Sequence, residues 1–166
     1  SHTAARALSG HARGLPDEAF KLIARKGGYI GVLMLPAFIV PAGDDRAAKL
    51  GKPAGWATLD IVVDHVEHIY KLVGEDHIGI GTDWGKPYYS AMTWTKDMVA
   101  EGSKTFDWVA WRPQDRFDPN MQCAEVETWD KWPNITAALL RRGFAEKTVA
   151  KMVGGNFLRV FREVCG

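Results

Sequence analysis

The sequence predicts an α/β fold built on a parallel sheet, and three observations support that prediction. Helix-like and strand-like segments alternate along the chain with short turns between them. Residues 29–35 are apolar on both faces, which is typical of a strand buried inside a parallel sheet. A second strand-like run, residues 78–82, ends abruptly in Asp83 and loop-forming residues. Such alternation favours β/α units with right-handed crossovers over a sandwich or a helical bundle.

The composition indicates one globular domain. The 166 residues are 46% hydrophobic, which is enough to bury a substantial core. Lys and Arg number 21 against 20 Asp and Glu, so no excess of charge favours nucleic acid or an anionic membrane as a partner. No apolar run approaches the ~20 residues that cross a bilayer. The first residues do not resemble a signal peptide, and the compartment, cytoplasmic or exported, is left open.

The first half of the chain gives two helices and their boundaries. Small polar residues surround His2, a composition that usually follows a strand, so the sequence is expected to begin within a fold. A helix is predicted to start after Pro16, with acidic residues in its first turn, and the strand at 29–35 should end at Pro36. Residues 40–57 form a loop with room for a short helix. Thr58 then caps a helix over 59–73.

Residues 84–133 interrupt this alternation with an aromatic-rich excursion. Aromatic density in a long loop is consistent with a lid, a partner surface such as a homodimer interface, or plain packing, and these alternatives stay open. Six of the seven Trp lie here: Trp84, Trp94, Trp108, Trp111, Trp129 and Trp132.

The chain closes with helical segments. A helix is predicted over 134–142, followed by one or two helices over 145–164 that bend near Gly154 and Gly155. The apolar residues expected to be buried there are Val149, Met152, Phe157, Leu158, Val160 and Phe161.

Three residues are candidates for chemistry by their position. Asp83 follows a strand, and catalytic groups in parallel α/β proteins sit at carboxyl ends of strands, although an Asp in a turn often bonds only its own backbone. His2 lies at another such junction and could bind metal. Arg13 precedes a helix, where its planar guanidinium could bind a carboxylate through two hydrogen bonds or could simply be solvated.

The other histidines have weaker positions. His65 and His68 lie three apart on a helix, away from any strand end, which favours surface or packing roles. His77 starts a strand and belongs to the face that serves stability. His11 could be near the site only because it is close to Arg13 in sequence.

Covalent catalysis is disfavoured by the motifs. The chain has no phosphate-binding glycine loop, no GxSxG motif and no recognisable Cys nucleophile. Cys123 and Cys165 lack the CxxC spacing of a zinc or redox site, and both a disulfide between them and two free thiols stay open.

Five motifs lie in order along nearly the whole chain. They are Ser1-His2-Thr3-Ala4, Arg13-Gly14-Leu15-Pro16-Asp17, Asp64-His65-Val66-Glu67-His68-Ile69, Ile78-Gly79-Ile80-Gly81-Thr82-Asp83 and Asn156-Phe157-Leu158-Arg159-Val160-Phe161. Together they resemble the motifs of the renal or membrane dipeptidase family, zinc dipeptidases of the amidohydrolase superfamily. The least similar part is 84–133.

The resemblance implies that residues 1–166 are the C-terminal half of a (β/α)8 TIM barrel with a binuclear Zn²⁺ centre. It further implies that His2 is a metal ligand, that Arg13 holds the carboxylate of a dipeptide substrate, and that Asp83 is the general acid/base. The N-terminal half of the barrel would supply the remaining ligands, a His-x-Asp pair, a bridging Glu and another His. The isolated chain is therefore expected to be inactive.

Two departures from the family pattern bear on specificity. Phe38 stands where a Tyr is expected, in a stretch that is more polar in mammalian relatives, and the segment after Asp83 is longer. The activity implied is metal-dependent hydrolysis of dipeptides. The alternatives are another small amide, such as an N-acyl amino acid or a lactam, and a non-catalytic fragment or interaction module.

Overall fold

A computed structural model describes residues 1–53, 55–83 and 121–166 of the chain. Its centre is a three-stranded parallel sheet in the order β1-β2-β3, and this confirms the predicted α/β class with a parallel sheet. His2 pairs with Gly31, and Gly31 pairs with Gly79. The strands are β1 (His2–Thr3), β2 (Ile30–Val32) and β3 (Ile78–Ile80).

Helices connect and cover these strands. In the described ranges no helix is both long and apolar enough to cross a membrane. The helices are α1 (Arg6–Ser9), α2 (Asp17–Arg25), α3 (Pro36–Ile39), α4 (Arg46–Lys49), α5 (Leu59–Val73), α6 (Pro133–Arg141), α7 (Glu146–Ala150) and α8 (Asn156–Cys165), with a 3-10 turn at Trp129–Lys131 and a π-helical turn at Lys151–Gly155.

Local sequence explains most of the boundaries. The hydroxyl of Thr58 accepts a hydrogen bond from the Ile61 amide at 3.4 Å, which caps α5 as predicted. Helix α4 occupies part of the predicted loop at 40–57. The predicted strand over 29–35 is shorter in the structure, Ile30–Val32, and Pro36 begins α3. Proline suits the first helical turn, where its missing N–H would have no helical partner.

Helix α5 is the main apolar element beside the sheet. It packs against α2, α6 and β3, and Val66 and Ile69 are fully buried. Its neighbours contribute further side chains with at most 2% of their surface exposed, which include Phe20, Ile30, Leu33, Ile78, Leu139 and Met152.

The predicted burial at the C-terminus was partly wrong. Val149 and Met152 are buried as expected. However, Phe157, Leu158 and Phe161 of α8 are 51%, 47% and 53% exposed. Periodicity identified an apolar face on this helix but not what covers it, and the described residues leave these three side chains accessible.

Most of the aromatic excursion, residues 84–120, lies outside the described residues. Its end is anchored to the fold, because Cys123 pairs with Ala57 in an isolated parallel bridge. The rings of Trp129 and Trp132 are 4.4 Å apart. Cys123, which is buried, and Cys165, which is exposed, are both free thiols.

Candidate active site at the carboxyl ends of the strands

The three residues predicted to carry chemistry lie together at one end of the sheet. His2 belongs to β1, Arg13 to the loop between α1 and α2, and Asp83 follows β3. The Nε2 atom of His2 is 3.4 Å from a terminal guanidinium nitrogen of Arg13 and 3.6 Å from Oδ2 of Asp83. One imidazole nitrogen therefore faces both a cation and a carboxylate, a meeting that parallel strands make possible because their carboxyl ends share an edge.

Two neighbouring residues, Ser1 and Gly81, determine how His2 is placed. Its Nδ1 lies 3.1 Å from the Ser1 hydroxyl, which leaves Nε2 directed at Arg13 and Asp83. A Cβ on Gly81 would lie only 3.0 Å from the Cβ of His2, so glycine lets β3 approach this residue closely. The His2 side chain is 33% exposed and is accessible to a ligand.

Asp83 occupies an unusual backbone conformation. Its φ of 53° lies in the left-handed region, which Asp tolerates better than most residues other than glycine. The carbonyl of the preceding Thr82 accepts a hydrogen bond from the Met34 amide at 3.1 Å, which ties the end of β3 to the segment after β2. The Asp83 side chain is 41% exposed. The carboxylate is thus fixed at its base and accessible at its tip.

Arg13 lies between His2 and an aromatic wall. Its guanidinium carbon is 5.9 Å from the centre of the Phe38 ring, within the range of a cation–π contact. The backbone N–H of Arg13 donates to Nδ1 of His11 at 2.9 Å, and the His11 ring lies 4.8 Å from Phe38. Phe38, which the sequence marked as a departure from the family, therefore shapes the surroundings of the proposed carboxylate clamp.

The remaining histidines have structural roles. His65 is fully buried; its Nδ1 accepts from the Ala5 amide at 3.0 Å and its Nε2 donates to the Ile39 carbonyl at 2.9 Å. Burial lowers the pKa of His65, so the ring is held neutral. His68 contacts Asp17 at 2.8 Å, and His77 donates to the Gly28 carbonyl at 3.0 Å. The predicted packing role of His65 and His68, and the place of His77 at the stability face, agree with these contacts.

His2 offers one donor of the kind that a zinc site uses. Zn²⁺ in proteins is commonly bound by a His nitrogen, and the His2 side chain is 33% exposed, with Nε2 3.6 Å from Oδ2 of Asp83. Within the described ranges, however, no group of three or more His, Cys, Asp or Glu residues could hold a metal ion. His2 can therefore contribute one ligand to such a centre, and a full coordination set needs further ligands.

Sequence reasoning missed the residues that hold the Arg13 loop. Arg6 donates from Nε to the Gly14 carbonyl at 2.9 Å and from a terminal nitrogen to the Ala12 carbonyl at 3.1 Å. His11 was expected near the site only by adjacency, yet it accepts from the Arg13 amide. The two-residue spacing between His11 and Arg13 is a signal that could have suggested this bond. No spacing rule identifies Arg6.

Comparison with known proteins matches the sequence to one family. The sequence pattern described as membrane dipeptidase, peptidase family M19, matches residues 1–99 and 116–165. A curated relative, Dipeptidase tcpJ of Claviceps purpurea, is 29% identical over 165 residues, covering 99% of this chain and 28% of its own length. The chain thus spans less than a third of that relative.

Solved structures agree with the fold. An amidohydrolase from Pseudomonas aeruginosa superposes with a TM-score of 0.68 at 28% identity, covering 98% of this chain and 44% of its own. A metallo peptidase from Rhodobacter sphaeroides, liganded with a phosphinate mimic of the dipeptide L-Ala-D-Ala, gives a TM-score of 0.61 at 19% identity, with coverage of 94% and 33%. At that identity the second likeness concerns the fold alone.

Proposed function

The chain belongs to the membrane dipeptidase family, peptidase family M19, and from this premise we propose that the complete protein is a metal-dependent dipeptidase. The observation that carries the proposal is that Arg13 and Asp83 both lie beside Nε2 of His2, at 3.4 and 3.6 Å, at the carboxyl ends of the strands. These side chains supply a metal ligand, a carboxylate clamp and a proton carrier, which together suit hydrolysis of a small peptide.

Residues 1–166 would form the C-terminal half of a (β/α)8 barrel. The chain spans 28% of its curated relative and 44% of the amidohydrolase chain. In the described sheet, β1 and β3 are the two outer strands, where additional strands could pair. Further β/α units could also cover the exposed apolar residues of α8. The other half of the barrel would supply a His-x-Asp pair, a bridging Glu and another His as ligands.

Each residue then has a distinct task. His2 would hold the metal centre through Nε2. When bound, zinc ions supply Lewis-acid polarisation of the scissile carbonyl and activation of the attacking water. Asp83, exposed and fixed at its backbone, would take the proton of that water and deliver it to the leaving amine. Arg13 would hold the free carboxylate of the dipeptide and thereby set its orientation.

The substrate class follows from the clamp. A guanidinium beside the metal ligand is suited to a free carboxylate that lies a short distance from the scissile bond, as it does in a dipeptide. An N-acyl amino acid also has such a carboxylate, whereas a simple lactam lacks it. The clamp therefore ranks dipeptides and N-acyl amino acids above lactams.

The experiment is an assay of the complete protein on a matched panel. The panel contains dipeptides with an L or a D residue at the C-terminal position, the corresponding N-acyl amino acids, and a lactam. We expect dipeptides to be hydrolysed fastest, and activity to be lost on treatment with a chelator and restored by Zn²⁺. The isolated 166 residues serve as the control and should show no turnover. Faster hydrolysis of the N-acyl amino acid or the lactam would reassign the substrate, and chelator-resistant activity would contradict the metal.

A further inference from the structure

The backbone around Arg13 is held by side chains at three groups. The guanidinium of Arg6 donates to the carbonyl of the preceding residue, Ala12, and to that of the following residue, Gly14. The Arg13 amide itself donates to Nδ1 of His11 at 2.9 Å, and the Gly14 amide donates to the His11 carbonyl at 3.0 Å. Both peptide groups that adjoin the Cα of Arg13 are therefore hydrogen-bonded within the loop, the first of them to two side chains. This is unusual for a loop, whose backbone groups are commonly satisfied by water.

The far side of the same loop is fixed to the end of β1. The Arg6 amide donates to the Leu15 carbonyl at 3.0 Å, and the Leu15 amide donates to the Ala4 carbonyl at 2.9 Å. A Cβ on Gly14 would lie 3.0 Å from both the Ala4 carbonyl oxygen and the Arg6 nitrogen, so the two segments are in close contact. The loop is thereby attached to the strand that carries His2.

We propose that Arg6 is a positioning residue for Arg13. By bridging the two carbonyls that flank Arg13, Arg6 fixes the direction in which the Arg13 side chain leaves the backbone, towards His2 Nε2 and across the Phe38 ring. This inference rests on the proposed function, because it assumes that Arg13 binds the substrate carboxylate. Arg6 itself need not contact the substrate.

The chemistry of Arg6 makes the proposal specific. A guanidinium presents several N–H groups in a rigid fork and can reach two carbonyls at once, whereas a Lys ammonium is a point charge on a flexible chain. We therefore expect Lys at position 6 to keep only part of the positioning of Arg13, and Gln to keep little of it. Arg6 is exposed, so these substitutions should leave the core of the domain intact.

The experiment measures kcat and KM of the complete enzyme for a dipeptide and for the same dipeptide as its C-terminal amide. Arg6→Gln should raise KM for the dipeptide about tenfold with kcat changed less than about twofold, because a mis-set clamp weakens substrate binding. The amide, which has no carboxylate to clamp, should show little change. Arg6→Lys should lie between Arg6→Gln and the parent. The matched control is Arg25→Gln, an exposed arginine of α2, which should behave as the parent.

A double-mutant cycle with Arg13→Gln separates positioning from a general structural role. If Arg6 acts through Arg13, Arg6→Gln should have almost no further effect on KM in the Arg13→Gln background. Equal losses on dipeptide and amide, or additive losses in the cycle, would overturn the inference while the dipeptidase function stands. If Arg6→Gln does not fold, as judged by thermal unfolding, Arg6→Lys takes its place in the cycle. A parent enzyme without dipeptidase activity would overturn both proposals.

Discussion

Polar side chains at the two ends of the sheet differ in their exposure and in their hydrogen-bond partners. At the carboxyl ends, His2, Arg13 and Asp83 face one another and the solvent, with contacts of 3.4 and 3.6 Å. At the amino ends, Asn156 is 3% exposed and donates to the carbonyls of Glu75 at 2.6 Å and Ile78 at 2.8 Å. The polar side chains at the carboxyl ends contact one another, whereas Asn156 at the amino ends donates to backbone carbonyls.

This difference separates groups available for binding from groups committed to architecture. A side chain that satisfies buried carbonyls cannot leave them without a cost, so it is fixed in one place. A side chain with long contacts and an accessible tip can exchange those contacts for a ligand. Arg159 follows the amino-end pattern, since it donates to the carbonyls of Gly27 and Asp76. The contrast predicts that substitutions at one end change catalysis and at the other end change stability.

The largest expected effect is on catalysis, from Asp83→Asn. This change keeps the size of the side chain and removes the group that accepts a proton, so kcat for a dipeptide should fall about a thousandfold or more. Zinc content, measured by metal analysis of the complete protein, and the thermal midpoint should stay close to the parent values. A variant with the parent rate would remove Asp83 from the mechanism, and loss of zinc would make it a ligand instead.

The next effect is on stability, from Asn156→Ala. The buried carbonyl of Ile78 and the partly buried carbonyl of Glu75 would lose their donor, which should lower the free energy of unfolding of the complete protein by about 3 kcal/mol. The kcat per folded molecule should not change. Denaturant unfolding checks the first expectation and kinetics the second. Asn134→Ala is the matched control, because exposed Asn134 donates to a single carbonyl, that of Glu125, and should cost less than about 1 kcal/mol.

The sequence could predict a feature at either end of the sheet only where that feature leaves a pattern of residue types along the chain. The bounds of α5 and the strand before Asp83 were predictable because amphipathic spacing, a capping Thr and an apolar run all lie within the sequence. The exposure of Phe157 and Phe161 was not, since what covers a helix face depends on elements that are distant in sequence. The position of His2, Arg13 and Asp83 at one edge was expected from the strand ends, whereas their chemical roles remain proposals.

The supporting contacts were the hardest to anticipate. Arg6, His65 and Asn156 all bond to backbone groups, and every residue has those groups, so no particular residue type marks the partner. His65 illustrates this: its place in the sequence favoured a surface or packing role without deciding between them, and only the fold shows that both its nitrogens are bonded to the main chain. Polar residues in a helix therefore need the tertiary contacts before a role can be assigned.

The smallest predicted effect tests whether His65 belongs to the architectural class although it lies near the site. Burial holds its folded-state pKa below the unfolded value of about 6.5. Below that pH the unfolded chain binds a proton that the folded chain does not bind, so stability should decrease as the pH falls from about 6.5 towards the folded-state pKa.

His65→Gln should be less stable than the parent by about 2 kcal/mol at pH 7.5, because it cannot bridge the Ala5 amide and the Ile39 carbonyl in the same geometry. The gap should narrow as the pH falls to 5.5, since only the parent has the protonation cost at this position. Thermal unfolding of both proteins across this range measures the difference, with His68→Gln as the control for loss of a histidine on the same helix. A gap that stays constant with pH would show that residue 65 does not titrate differently in the two states, and a kcat for dipeptides that falls more than the folded fraction would place His65 with the site instead.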